Sequence, residues 1–166
     1  ELLKRAEVLL EQYSKSTILF NFLGAAYCEL NQFENAICSY EQGLEITPYD
    51  TELHYNLGVV FERAKELEKS LQHYKKALFG STNGVHIYIS MGNILRKKGD
   101  FNLAIQQYEN AVELEPKNAD ALYNIGLVML DQKQFVKAID HFNKSIKINP
   151  FFANAWYNMA IGFQEN

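Results

Sequence analysis

Leu23-Gly24, Leu57-Gly58, Met91-Gly92 and Ile125-Gly126 repeat one pattern, a large apolar residue followed by glycine, each copy 34 residues after the last. A fifth step reaches Met159-Ala160, where the next smallest side chain stands. A fixed period of this size decides the architecture before any local propensity is weighed. Numbering each unit so that the small residue is its eighth position brings much else into register. Position 11 holds Tyr27, Phe61, Leu95, Met129 and Phe163, and position 20 holds Ala36, Ser70, Ala104 and Ala138. Position 24 is Tyr40, Tyr74, Tyr108 and Phe142, and position 27 is Gly43, Ala77, Ala111 and Ser145. Position 32 is Pro48, Thr82, Pro116 and Pro150, and Trp156 stands at position 4 of the last unit.

Each residue type has a physical reason in a pair of antiparallel helices. Small residues at positions 8 and 20 let the two helices approach closely. Large residues at 4, 7, 11 and 24 fill the space around that contact. Proline at 32 cannot continue a helix, so it ends the second one and turns the chain into the next unit. A single pair cannot bury its apolar face, whereas stacked pairs share a continuous core. The pattern resembles the tetratricopeptide repeat, W-x2-L-G-x2-Y, then A-x3-F, then P over 34 residues. The resemblance covers most of the chain and implies an all-α, right-handed superhelical solenoid of antiparallel helix pairs.

In this register residues 17–50, 51–84, 85–118 and 119–152 are four full repeats, and 153–166 is the first helix of a fifth. Residues 1–16 read as a degenerate half repeat that caps repeat 1, with Leu3, Ala6, Leu9, Leu10 and Tyr13 at helical spacing. Helices are expected near 17–30, 34–46, 51–64, 68–79, 85–98, 102–114, 119–132, 136–148 and 153–165. The link Gly80-Ser81-Thr82-Asn83-Gly84 has two glycines and no proline, which predicts the softest joint of the stack. The helical pattern runs to both termini, so the chain reads as a fragment of a longer protein. The last helix carries Ala153, Trp156, Tyr157, Ala160, Ile161 and Phe163, more apolar surface than one buried stripe needs. It is expected to pack on repeat 4 through Trp156 and Met159, and to offer 153–165 for self-association or for further repeats.

The 166 residues carry a formal charge of −4 and are 48% apolar, enough for a core along the stack. That balance gives no footprint for nucleic acid or an anionic membrane. No apolar run reaches a membrane span and no signal peptide leads the chain, so a cytoplasmic, intracellular setting is expected. Cys28 and Cys38 fall on facing helices of repeat 1 and are expected as a reduced pair. His54, His73, His86 and His141 have no zinc-ligand spacing, and no serine or cysteine stands beside a recognisable base. The sequence therefore implies no catalytic residue, cofactor or metal in this segment. The aromatics of position 24 belong to the core rather than to a base-stacking platform.

A solenoid binds on its extended concave face. In tetratricopeptide repeats the first helices line it, through positions 2, 5, 6, 9, 12 and 13. Position 6 is Phe22, Asn56, Ser90, Asn124 and Asn158, and position 9 adds Asn93. A short amide with an acceptor and two donors suits the backbone of an extended peptide. The resemblance thus implies a protein–protein interaction or scaffold module, with a groove of Asn56, Ser90, Asn93, Asn124 and Asn158. Glu52, Arg63, His86, Lys97, Asp120 and Asp131 would tune its preference for one peptide or protein segment over another. Some members hold a chaperone's C-terminal carboxylate with lysines and an arginine. Here Ile89, Asn154 and Asn158 fill those places, which removes the charge-assisted bonds and excludes that ligand. The asparagine row is also similar to the superhelical half of O-linked N-acetylglucosamine transferases, which implies the alternative of a substrate-holding region.

Overall fold

The computed structural model describes residues 2–165. The described residues form α1 (Leu2–Gln12), α2 (Thr17–Glu29), α3 (Phe33–Ile46), α4 (Thr51–Arg63) and α5 (Leu67–Gly80), and then α6 (Val85–Lys98), α7 (Phe101–Leu114), α8 (Ala119–Asp131), α9 (Phe135–Ile148) and α10 (Ala153–Glu165). There is no strand among them. Contacts divide the chain into two units, residues 1–82 and 83–166. In the first, α2 pairs with α3 and α4 with α5, while α1 packs on α2 and α3 on α4. In the second, α6 pairs with α7 and α8 with α9, while α7 packs on α8 and α9 on α10. The expected helices are all present, with each second helix starting one residue earlier than its apolar pattern suggested.

The repeated glycine explains the pairing. A Cβ built on Gly24 would stand 2.5 Å from the Tyr40 ring, and one on Gly58 2.5 Å from Tyr74. Gly92 meets Tyr108 at 2.5 Å and Gly126 meets Phe142 at 2.6 Å in the same way. Position 8 is thus the seat of the position-24 ring of its own repeat, and any larger side chain would push the helices apart. All four rings are buried. Ser70, the one hydroxyl among the alanines of position 20, is fully buried and donates to the Gly58 carbonyl at 2.6 Å, so its polarity is satisfied.

Local chemistry sets the helix ends. Ser16, Asp50 and Asn118 precede three of the first helices, and their side chains accept from Leu19 N at 3.4 Å, Leu53 N at 2.9 Å and Ala121 N at 2.8 Å. At the same place before α6 stands Gly84, which has no side chain to cap with. The turn inside each repeat passes through a left-handed residue at position 15: Asn31, Lys65, Gly99 and Lys133, with φ of 57°, 63°, 82° and 57°. Only Gly99 adopts that conformation without strain.

The last helix departs from expectation. Ala155 and Gly162 are the residues α10 buries, with Ile139 of α9 beneath Gly162. Trp156 is 50% exposed and its Nε1 donates to the Pro150 carbonyl at 2.9 Å. Positions 3 and 10 face the preceding helix, whereas position 4 faces the second helix of its own repeat, as Phe20 and His54 do. Among the described residues no second helix lies against that side of α10, so Trp156 does not pack as expected and Ala160 is exposed. Met159 is half-buried. Cys28 is buried and Cys38 exposed, both as free thiols.

Candidate functional site

The first helices α2 and α4 place the candidate residues of the first unit. Asn56 donates through Nδ2 to Asn21 Oδ1 at 2.8 Å, and Asn21 in turn donates to Glu52 Oε1 at 2.7 Å. Arg63, at the end of α4, donates to Glu29 Oε1 at 2.8 Å and Asn31 Oδ1 at 3.1 Å. Its guanidinium lies 3.2 Å from Cys28 Sγ and 5.8 Å from the centre of the Phe33 ring. Asn56 and Arg63 therefore tie repeat 2 to repeat 1 as well as facing outward.

In the second unit α6, α8 and α10 carry the rest. Asn158 donates to the Tyr123 hydroxyl at 2.9 Å and to the Asn154 carbonyl at 3.0 Å. Asp131 takes Arg96 through two oxygens, Nε at 2.6 Å and Nη2 at 3.3 Å. Asn93 turns towards its own second helix and accepts from the Tyr108 hydroxyl at 2.8 Å. Burial pushes the titration of that hydroxyl up, which keeps it a neutral donor. His86, Lys97 and Asp120 are exposed, and Ser90 and Asn124 are half-buried. Asn124 makes no hydrogen bond from its amide to another described residue.

A second spacing joins these contacts. Asn56 to Asn21, Asn158 to Tyr123, and Arg96 to Asp131 are each 35 residues apart. Position 5 of one repeat meets position 6 of the next, and position 12 meets position 13. Asn21, Arg96 and Tyr123 are thus part of the face; positions 5 and 12, which they occupy, were expected to line it, but these residues were not singled out as candidates. Their signal was the register offset of one between neighbouring first helices. Among the described residues no group of three His, Cys, Asp or Glu side chains is placed to hold a metal. No helix of the described residues is long and apolar enough to cross a membrane.

The family model described as TPR repeat matches residues 24–65 and 92–133, and that described as Tetratricopeptide repeat matches 119–152. The chain belongs to the tetratricopeptide repeat family, and this segment is a repeat module of that family. Solved structures agree on the fold. The crystal structure of MamA protein superposes with a TM-score of 0.80 at 24% identity, covering 92% of this chain and 83% of that one. YrrB, titled a TPR protein with an unusual peptide-binding site, gives 0.75 at 21% identity, covering 96% and 82%. The C-terminal part of a TPR repeat-containing protein from Cytophaga hutchinsonii gives 0.86 at 20% identity, covering 98% and 64%. No curated protein matches this chain in sequence.

Proposed function

We propose that the chain is a protein–protein interaction module that holds an extended peptide or protein segment on the first-helix face of its repeats. The observation that carries this is Asn124. Its half-buried amide has no hydrogen-bond partner among the described residues, while its neighbours Asn158 and Asp131 are held in place by Tyr123 and Arg96. Fixed polar side chains around an unengaged amide are what backbone recognition without strict sequence readout requires. Asn56 keeps an amide oxygen and a second N–H after its bond to Asn21, and Asn158, whose two N–H groups go to Tyr123 and Asn154, keeps its amide oxygen. Glu52, Arg63, His86, Lys97, Asp120 and Asp131 set the charge preference, and Ser90 and Asn93 complete the polar row. YrrB, as a peptide-binding relative in fold, supports this class of partner. The substrate-holding role of a glycosyltransferase rests on the same asparagines, and no contact of theirs favours it.

The test uses peptides selected against the chain from a random display library. Asn124→Ala with Asn158→Ala should weaken them by about 1–3 kcal/mol, the cost of two lost hydrogen bonds. Unaltered affinity with an unaltered circular dichroism spectrum would remove the site assignment. We also propose self-association through residues 153–165, argued at the end of the Discussion.

A further inference from the structure

A cavity of about 260 Å³ opens in the first unit, away from the first-helix face, where the link after α3 meets the end of α5. Pro48, Tyr49, His54, Lys76, Phe79 and Gly80 line it. Tyr49 is 86% exposed and Phe79 93%, so two aromatic rings rim one opening. Repeat packing does not demand them. The places of Phe79 in the other repeats hold Glu45, Glu113 and Lys147, and that of Tyr49 holds Asn83, Lys117 and Phe151. Single exposed apolar residues are ordinary, but a pair of aromatic rings facing one cavity is a patch with a purpose.

The polar lining has one sign. Lys76 is exposed and has no carboxylate partner among the described residues. His54 is a neutral wall, because its Nε2–H donates to the Pro48 carbonyl at 3.1 Å and its Nδ1 is taken by His73 Nδ1 at 3.2 Å. No Asp or Glu side chain is among the lining residues. The volume lies below the roughly 300–1,000 Å³ of small-molecule sites and suits one side chain of a larger partner.

We infer that this cavity is a second peptide site, which takes an aromatic side chain of a partner polypeptide followed by an acidic residue. The ring enters between Tyr49 and Phe79, and the carboxylate pairs with Lys76. The site is separate from the groove and does not depend on it.

The test is titration of the isotope-labelled chain with the capped peptide acetyl-Gly-Phe-Glu-Gly-amide, followed by amide chemical shifts. Shifts should cluster at 48–54 and 76–80, with Kd on the order of 1 mM for one ring and one exposed charge. The same peptide with Gln for Glu, and the Lys76→Met chain, should each bind about two- to fivefold more weakly. Phe79→Ser should abolish the clustered shifts, while Asn124→Ala should leave them intact. Both rim and cation are exposed, so these variants keep the fold. Shifts scattered elsewhere, none at all, or equal binding of the Glu and Gln peptides would overturn the proposal.

Discussion

Gly92 supports Tyr108 in the way each repeated glycine supports its ring, and a single methyl tests that contact. A Cβ there would stand 2.5 Å from Tyr108 Cε1, and the ring is fully buried with no room to move. Overpacking of this kind costs about 1–3 kcal/mol, and the helix gains roughly 0.5–1 from losing a glycine. Gly92→Ala should therefore lower stability by about 1 kcal/mol, read as a drop in Tm. Ala160 holds the same position in α10 without a ring above it, so there the larger residue should be the better one. The turn residues give the opposite sign. Lys133 sits at φ 57°, where a Cβ is strained. Lys133→Gly should raise stability by about 0.5–1 kcal/mol by relieving it, and a fall in the denaturation midpoint would refute this. The glycine and its ring were legible because both recur at fixed positions. The bond from Asn56 to Asn21 was not, since it joins different positions of adjacent repeats and depends on how far one first helix slides along the next.

Among the elements, α5 carries the least regular chemistry. His73 on α5 faces His54 on α4, with ring centres 5.3 Å apart, and the Phe61 ring also lies 5.3 Å from His73. Burial, then the nearby His54 and Lys76, push His73 down to about 4. Burial also lowers His54, against the bond to Pro48 and the charge of Asp50, which raise it. The folded state therefore prefers both rings neutral, and their single bridging proton cannot become two. The unfolded chain binds more protons between its ordinary histidine value near 6.5 and the folded value near 4. Stability from this pair is complete above about pH 6.5 and is lost as pH falls towards 4. The loss should be on the order of 1–2 kcal/mol once solvent screening of the half-buried His73 ring is counted. His73→Gln should flatten that part of the profile in urea titrations run from pH 7 to 4, and an unchanged slope would remove the histidine pair as its cause. The sequence showed the two histidines but not their meeting, because positions 4 and 23 come together only through helix pairing. The same helix ends at Gly80, and α6 follows a Gly84 without a side-chain cap. Amides of residues 81–84 should exchange with solvent faster than those beside Pro48 and Pro116, and equal protection would show the joint to be as firm as the others.

At the scale of the whole chain, a 34-residue period is enough to name the fold, since the first helices begin where its register places them and the second helices within one residue of it. What the period does not carry is how far each face of a helix is covered, and α10 is that case. Its buried side is Ala155 and Gly162, two of the smallest residues in the helix. Trp156, Tyr157 and Phe163 are 50%, 69% and 63% exposed, so three large rings face outward from thirteen residues. In the repeats before it the comparable space around position 8 is filled by a tyrosine or phenylalanine from the next helix. A second copy of α10 can supply such a ring to Ala160 and accept one in return, and an isologous contact of this kind closes at a dimer. The chain should therefore sediment as a concentration-dependent monomer–dimer mixture. Trp156→Glu with Phe163→Glu should return it to monomer without changing its helical content, because both side chains are mainly exposed. A chain that stays strictly monomeric at high concentration would rule out this contact.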